Sequence, residues 1–283
     1  MRSTTALKKY IAGLKLTLSG KLLCGFLSSS TKVAMKNMEI AFGENLTADE
    51  RKKLTQAFAG HIVKTVFEIL SARFLSKKQI IDRVEVKGRE HAKAALNKQR
   101  GVLLLTAHLG NWEFAPLGAA LQLTDIFSQG FHIVRKKVPN PQLEKFLFKH
   151  FEEAGIHILA KENSLRPIFR VLAQNGAVII TFDQYVKPGA RGILAKFFDQ
   201  KVGTYTGLAK LAKKTRAAVV PVVSYRLPSG RHILEFLPEI EWLSHEEPDK
   251  EILLNTEAYN LSIENAIWKH PEQWQWRHRR FRV

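Results

Sequence analysis

His108 and Glu113 are the residues whose types and spacing best suggest chemistry, because His108 directly follows an apolar run, Gly101–Ala107, and Glu113 stands five residues later. Such a run predicts a buried strand, and in open α/β sheets reactive side chains gather at the carboxyl ends of strands. A neutral imidazole there can take a proton from a hydroxyl group, while a carboxylate bonded to its other nitrogen fixes the tautomer. We therefore predict that His108 is a general base and that Glu113 is its partner.

The two side chains can meet only if the chain turns between them. On one continuous helix, residues five apart point in different directions. Leu109, Gly110 and Asn111 allow a turn and a helix cap, which would put Glu113 in the first turn of the next helix. The alternative is a helix-capping glutamate near a structural histidine, since this spacing alone is a weak pattern.

The chain from about residue 83 alternates short β-branched or leucine-rich runs with helical segments. This alternation is typical of a layered α/β domain with a mostly parallel central sheet flanked by helices. The predicted strands are Val84–Val86, Gly101–Ala107, Phe131–Arg135, Gly176–Phe182, Ala217–Tyr225 and His232–Phe236. The predicted helices lie near 111–124, 141–154 (with Asn140 as cap and Pro141 at the first position), 165–174, 204–215 and 250–268.

A helical layer is predicted ahead of this domain. Thr47 and Glu50 have the spacing of a capping box, and apolar residues follow at helical intervals, so we expect a helix from about 48 to 72. No repeat or long linker is evident. The prediction is therefore a helical N-terminal layer, residues 1–75, on an α/β domain, residues 76–283, in one structural unit.

The first residues form an apolar stripe interrupted by lysines, with Leu7, Ile11, Leu14 and Leu18 at helical spacing. This stripe suits a helix lying in a bilayer surface, and it equally suits an amphipathic helix docked on the core. No apolar run reaches the ~18 to 20 residues of a spanning helix, and the lysines argue against a cleaved signal.

The charge balance favours anionic partners. With 44 basic and 26 acidic residues, the net charge of +18 suits lipid headgroups, phosphorylated substrates, acidic carrier proteins or nucleic acid. The one cysteine, Cys24, excludes an internal disulfide and a cysteine zinc cluster. Neither nucleotide-binding glycine motif occurs, and the other histidines lack paired metal-ligand spacing, so we expect no cofactor and no metal.

Two further polar groups end predicted strands. Arg135 and Lys136 can bind a phosphate, since a guanidinium offers two parallel hydrogen bonds; a solvated basic loop is the alternative. Asp183 and Gln184 follow Phe182, where Asp183 can orient the arginine or a substrate hydroxyl, or can serve as a helix cap or turn residue.

Several segments, taken in order, resemble one known family. They are Asn37–Phe42, the His-x4-Glu block Thr106–Glu113, Arg135-Lys136 ahead of Asn140-Pro141, Asp183-Gln184, Phe197-Phe198 with Gly203–Gly207, Val219–Pro221, and the ending His270–Phe281. Over about residues 35 to 282 the chain resembles the lipid A late acyltransferases, within the lysophospholipid acyltransferase superfamily. Asp183-Gln184-Tyr185 argues against the glycerol-phosphate branch of that superfamily.

The resemblance implies an O-acyltransferase that moves a fatty acyl group from acyl-carrier-protein or acyl-CoA to a hydroxyl of a phosphorylated glycolipid, a lipid A precursor. It implies that His108 is the base and Glu113 its partner, and that Arg135, Lys136, Asp183 and Gln184 bind substrate. It also implies an apolar groove for the acyl chain and a peripheral position on the cytoplasmic face of a bacterial inner membrane.

Other functions remain open. Two features depart from the family: members commonly begin with a hydrophobic anchor, and Asp199 stands where a glycine is frequent. The acceptor can instead be a phosphoinositol mannoside, a lysophospholipid or an amino-acid lipid. The non-enzymatic alternative is a basic protein that binds membranes or nucleic acid, although we expect no nucleic-acid partner.

The C-terminal tail allows three interpretations. It interleaves tryptophans with arginines: Trp274, Trp276, Arg277, Arg279 and Arg280, followed by Phe281. Such residues suit stacking on bases, contact with a membrane interface, or packing on the sheet.

Overall fold

A seven-stranded sheet forms the centre of the protein in the computed structural model, which describes residues 3–26, 28–136, 138–140, 142, 149–162 and 164–282. In chain order the strands are β1 (Val84–Lys87), β2 (Val102–Thr106), β3 (Phe131–Arg135), β4 (Ile156–Ala160), β5 (Ala177–Thr181), β6 (Gly192–Phe197), β7 (Gln200–Tyr205), β8 (Ala218–Arg226) and β9 (His232–Phe236). The sheet order is β1-β9-β8-β2-β5-β3-β4. Neighbours pair in parallel except β8 and β9, so the predicted α/β class with a mostly parallel sheet is confirmed.

Helices cover both faces of this sheet, which explains the apolar character of its middle strands. In β2, Leu103 and Leu105 belong to one buried cluster, while Val102 and Leu104 belong to another on the opposite face. Side chains alternate between faces with a period of two, so a strand buried on both sides must be apolar throughout.

The helices are α1 (Thr4–Gly13), α2 (Leu18–Phe26), α3 (Ser28–Phe42), α4 (Ala48–Ser71), α5 (Lys77–Ile81), α6 (Arg89–Leu96), α7 (Phe114–Ala120), α8 (Leu165–Ala173), α9 (Gly207–Thr215) and α10 (Pro248–Lys269). Short 3₁₀ turns span Gly43–Asn45, Ala72–Phe74 and Pro271–Gln273. The predicted helix 141–154 lies largely outside the described residues, although residues 149–153 are helical. The predicted capping box is present, because Thr47 Oγ1 accepts from the Glu50 amide and Glu50 accepts from the Thr47 amide.

Each of the six predicted strands is present, but three strands were not predicted. The missed strand β4 is short and carries the exposed His157. The missed strands β6 and β7 form an antiparallel hairpin whose turn residues, Phe198 and Asp199, both have positive φ. Hairpin turns of this kind normally use Asn or Gly, so the sequence lacks the usual turn signal. The predicted helix 204–215 consequently begins later, at Gly207.

The N-terminal apolar stripe does not form one continuous helix. Leu7 and Ile11 on α1 are buried in the same cluster as Leu103 of the sheet, so α1 is docked on the core. The helix ends at Gly13, and Leu18 begins a second helix with its side chain 73% exposed. None of the described helices combines the length and apolar character that crossing a bilayer requires.

The tryptophans of the C-terminal tail pack inside the protein. Of the three interpretations of the tail, packing on the sheet is therefore the one that fits them. Trp274, Trp276 and Arg280 have no exposed surface. Asn37 on α3 donates hydrogen bonds of 2.7 Å to the carbonyl groups of Trp276 and His278. The two tryptophans are therefore not available to stack on bases or to enter a membrane interface.

The crossing of α2 over α4 depends on glycine. A Cβ atom on Gly20 would lie 2.6 Å from the carbonyl oxygen of Gln56 and 2.8 Å from the amide nitrogen of Gly60. Both are backbone atoms of α4, so neither can rotate away.

We predict that Gly20→Ala lowers the free energy of unfolding by about 1–3 kcal/mol, because the two helices must separate to admit the methyl group. Gly13→Ala is the matched control, since a Cβ atom there meets nothing within 4 Å. That variant should be neutral or up to ~1 kcal/mol more stable, through the lower entropy of the unfolded chain. Urea denaturation measures both, and equal midpoints for the two variants would contradict the prediction.

Candidate active site

The register between β2 and β5 brings His108 and Asp183 together. Thr106 pairs with Thr181, the last residue of each strand, and each of the two polar residues follows its strand end by two positions. The His108 amide donates to Asp183 Oδ2 at 2.8 Å, and His108 Nδ1 lies 2.9 Å from Asp183 Oδ1. Asp183 is fully buried, whereas the His108 side chain is 19% exposed.

The charges of this pair define the state of the imidazole. Burial raises the pKa of Asp183, but the charge of His108 and hydrogen bonds from His108 and Trp274 outweigh burial and bring the pKa to about 2. Burial lowers the pKa of His108, but Asp183, with a smaller contribution from Glu113, raises it overall. An ionised carboxylate only accepts hydrogen bonds, so Nδ1 carries a proton and Nε2 of the neutral ring keeps its lone pair.

Asp183 therefore occupies the place expected for Glu113. In the described part of the chain, Glu113 makes no hydrogen bond to His108, and its interaction with the ring is through charge alone. Glu113 sits at the start of α7 and lines the same cavity as His108. Burial raises its pKa, although the positive charges of Arg135 and His108 oppose that rise.

Two residues, Gly110 and Asn111, fix the conformation of the turn between His108 and Glu113. Gly110 has φ +65, and a Cβ atom there would lie 2.4 Å from the carbonyl oxygen of Ser224, so the position requires glycine. Asn111 is fully buried, and its side-chain oxygen accepts from the amides of Glu113 (3.3 Å) and Phe114 (3.0 Å). As predicted, a turn precedes α7 and Asn111 caps it, but the helix begins at Phe114, so Glu113 stands just before the first turn and not within it.

A buried polar network supports this turn from α4 and β8. Glu68 accepts from Asn111 Nδ2 at 2.8 Å and from Arg226 Nε at 2.9 Å. His61 Nδ1 lies 2.7 Å from Arg226 Nη1, and its Nε2 lies 3.0 Å from the carbonyl oxygen of Gly110. Burial and the charge of Arg226 lower the pKa of His61 to about 3, so the ring is neutral and donates to Gly110.

A cavity of about 1580 Å³ opens at this edge of the sheet, larger than the roughly 300–1,000 Å³ of most small-molecule sites. One part, the apolar arm, lies between the sheet and α7; it is lined by Leu104, Pro116, Ala119, Phe131, Ile133, Ile179 and Phe236. The other part, the cationic rim, carries Arg135, Lys136, Lys161, Arg166, Arg191, Lys210 and Lys214. Of the described residues that line the cavity, Glu113 alone is a carboxylate.

The remaining predicted residues fall on this cavity with one exception. Arg135, Lys136 and Gln184 line it. Asp183 does not, because it is fully buried and its carboxylate accepts hydrogen bonds from His108 and Trp274. Among the residues described, no group of three or more potential ligands is placed to hold a metal ion.

Sequence reasoning missed three supporting residues of the site. Trp274 Nε1 donates to Asp183 Oδ2 at 2.8 Å, and Glu68 and Arg226 hold the turn. The tryptophans of the tail stand out in the sequence as aromatic residues. Nothing local in the sequence links Trp274 to Asp183, which lies 91 residues earlier at the end of β5.

Comparison with known proteins identifies one family and several relatives. The model of the family described as bacterial lipid A biosynthesis acyltransferase matches residues 11–283. A lipid A biosynthesis lauroyltransferase of Escherichia coli (strain K12) is 25% identical over 267 residues, 93% of this chain and 83% of that protein. A lipid A biosynthesis palmitoleoyltransferase of the same strain is 26% identical over 93% of this chain and 82% of that protein. A phosphatidylinositol mannoside acyltransferase of Mycolicibacterium smegmatis is 26% identical over 66% of this chain and 60% of that protein.

We predict that Asp183→Asn lowers the pKa of His108, because it removes the charge that opposes the effect of burial. Glu113→Gln should lower that pKa less, since Glu113 acts on the ring by charge without a hydrogen bond. Titration of the His108 ring resonances by NMR measures both shifts. A larger decrease in the Glu113 variant would show that Glu113 is the dominant partner.

Proposed function

The chain belongs to the bacterial lipid A biosynthesis acyltransferase family and is an O-acyltransferase, and from this we propose its donor, acceptor and catalytic residues. The proposed reaction moves a fatty acyl group from a thioester, acyl-carrier-protein or acyl-CoA, to a hydroxyl of a phosphorylated glycolipid of the lipid A precursor type. The observation that carries this proposal is the His108–Asp183 pair at a cavity with one apolar arm and a cationic rim.

In the proposed mechanism, His108 Nε2 takes the proton of the acceptor hydroxyl as its oxygen attacks the thioester carbonyl. The tetrahedral intermediate collapses with loss of the C–S bond, and the departing sulfur takes the proton back from the imidazolium. A thioester is already activated, so no protein nucleophile is required. Asp183 is the positioning residue, because it holds the tautomer and stabilises the imidazolium formed in the first step.

Glu113 has a supporting part in this proposal. It lines the cavity within electrostatic reach of both His108 and Arg135. As a carboxylate it stabilises the imidazolium, and it also offers the acceptor hydroxyl a hydrogen-bond partner beside the base.

The apolar arm is the proposed site of the acyl chain. Phe131 of the arm and Arg135 of the rim stand four residues apart on β3, a separation of about 13 Å along the strand. Aliphatic and aromatic side chains along this length favour a hydrocarbon chain over water. The thioester carbon would then lie where the arm meets the rim, beside His108.

The cationic rim is the proposed site of the anionic groups. Among the described residues, seven cationic side chains and one carboxylate line the cavity, so phosphates and acidic carriers are attracted to it. Arg135 and Lys136, at the end of β3, are the proposed anchors of an acceptor phosphate, and Gln184 lies with them on the cavity wall. We propose that the enzyme works peripherally at the cytoplasmic face of a bacterial inner membrane, where these substrates meet.

A second candidate acceptor is a phosphoinositol mannoside. The Mycolicibacterium smegmatis relative, a phosphatidylinositol mannoside acyltransferase, favours this alternative. Both acceptors join a phosphate to sugar hydroxyls, so the rim suits either. Mass spectrometry of the products formed from both acceptors, with acyl-carrier-protein and acyl-CoA donors, separates the candidates.

We predict that His108→Ala abolishes acyl transfer and that Asp183→Asn lowers kcat about a thousandfold or more, because the tautomer is lost. In the wild type the rate should rise with pH as His108 loses its proton, at a pKa above the ordinary histidine value. Product formation from a thioester and a phosphorylated glycolipid measures both effects, with circular dichroism as the control for folding. Undiminished turnover by the alanine variant would refute the assignment of the base.

We predict that Arg135→Ala raises KM for a phosphorylated acceptor about 10- to 100-fold, because a charged hydrogen bond to phosphate is lost. KM for the same acceptor after dephosphorylation should change little. Arg100→Ala is the control, since Arg100 is exposed and precedes the amino-terminal end of β2, whereas the cavity lies at the carboxyl end of that strand. Equal effects of Arg135→Ala on the two acceptors would exclude Arg135 as the phosphate anchor.

A further inference from the structure

Four large apolar side chains stand exposed near the end of α4. Val66 is 51% exposed, Phe67 71%, Leu70 54% and Phe74 88%. We call these four residues the apolar patch. Single exposed apolar residues are common on protein surfaces, but a contiguous group of them marks a site of interaction.

The spacing of the patch places its members side by side. Phe67, Leu70 and Phe74 follow one another at intervals of three and four, which puts them on one side of the helix and of the 3₁₀ turn that extends it. Gly60, seven residues before Phe67, lies on nearly the same side, and there α2 covers α4. The patch is therefore the uncovered continuation of a helix face that is packed one to two turns earlier.

The charges around the patch are mostly positive. Residues 62–82 contain Lys64, Arg73, Lys77 and Lys78 against Glu68 and Asp82. Both carboxylates are paired, Glu68 with Arg226 and Asp82 with Lys78. Aromatic side chains in a segment with an excess of basic residues match a phospholipid surface that carries negative headgroups.

The patch also adjoins the candidate active site. Glu68, next to Phe67 in the chain, accepts a hydrogen bond from Asn111, whose side chain caps the start of α7. The next residue, Trp112, lines the cavity, and its ring lies edge-on to His108 at 5.5 Å between centroids. Through these contacts the segment that carries the patch is connected to the cavity wall beside His108.

We propose that the apolar patch inserts into the interface of an anionic phospholipid bilayer and holds the cavity mouth against it. This inference rests on the proposed function, in which the acceptor is a membrane lipid. Of the other candidates for membrane contact, Leu7 and Ile11 of α1 and Trp274 and Trp276 of the tail are buried. Leu18 is exposed, and it lies on α2, which packs against α4. Insertion removes two exposed phenylalanine rings from water. It also lets the lipid acceptor pass from the bilayer to His108 without entering water.

The test compares two double variants of the full chain. Phe67→Ser/Phe74→Ser removes the two most exposed members of the patch. Leu254→Ser/Leu261→Ser removes two leucines at the same spacing on α10, which are 37% and 51% exposed. Vesicles of phosphatidylcholine, with and without phosphatidylglycerol, are sedimented with each protein, and unfolding midpoints show that the variants fold. The single variant Phe74→Ser replaces the double variant if the latter does not fold.

The wild type should sediment with vesicles that contain phosphatidylglycerol. The phenylalanine double variant should lose about tenfold or more in vesicle affinity, and the leucine variant should bind like the wild type. Turnover of a detergent-dispersed acceptor should be unchanged in both variants, while turnover of a vesicle-embedded acceptor should fall in the phenylalanine variant alone.

Equal vesicle binding by the wild type and the phenylalanine variant would overturn the inference. A wild type that does not bind vesicles, yet acylates a dispersed acceptor, would also overturn it and leave the proposed reaction intact. Failure to acylate any dispersed acceptor would count against the proposed reaction instead. In that case the vesicle-binding comparison would still show whether the apolar patch contacts the membrane.

Discussion

The contact between His108 and Asp183 is the interaction on which the rest of the site depends. A carboxylate with no exposed surface is costly to bury unless its oxygens are satisfied, and Asp183 receives the His108 amide, the His108 ring and the Trp274 indole. These donors come from the end of β2 and from the C-terminal tail. Satisfying one buried charge therefore ties the strand end to the terminal residues, and the same hydrogen bonds leave Nε2 of the imidazole with its lone pair.

A second, partly buried charged pair keeps the turn beyond His108 in place. Glu68 and Arg226 form an ion pair that contacts Asn111, and the neutral ring of His61 links Arg226 to the carbonyl group of Gly110. Partly buried ion pairs of this kind are weak contributors to stability, because desolvation offsets much of the attraction. Their effect here is geometric, since one carboxylate connects α4, β8 and the cap of α7, and so determines where Glu113 stands relative to the base.

Much of the fold could be predicted from local sequence, but the pairing of the site could not. Apolar runs such as Gly101–Ala107 are long enough to indicate strands, and His108 at the end of one was correctly placed at the cavity. The local pattern predicts Glu113, five residues away, as the partner of His108. The ring instead donates to Asp183, which is close only through the register of β2 with β5. Register is a property of two strands together, so a single-sequence pattern cannot reveal it. The same limit applies to the tail, whose tryptophans are buried by contacts with distant residues.

The two chemistries of the cavity constrain how a substrate can lie in it. On the proposed function, an acyl thioester joins a hydrocarbon chain to an anionic carrier through one reactive carbon. On that proposal the hydrocarbon chain lies in the apolar arm and the anionic part at the cationic rim, so the reactive carbon lies where the two meet. His108 lines the cavity at that boundary, because the carboxyl end of β2 is where the apolar face of the sheet gives way to polar loops. A thioester inserted in the opposite direction would put charge into the arm and hydrocarbon into the rim, which disfavours binding of the donor away from the base.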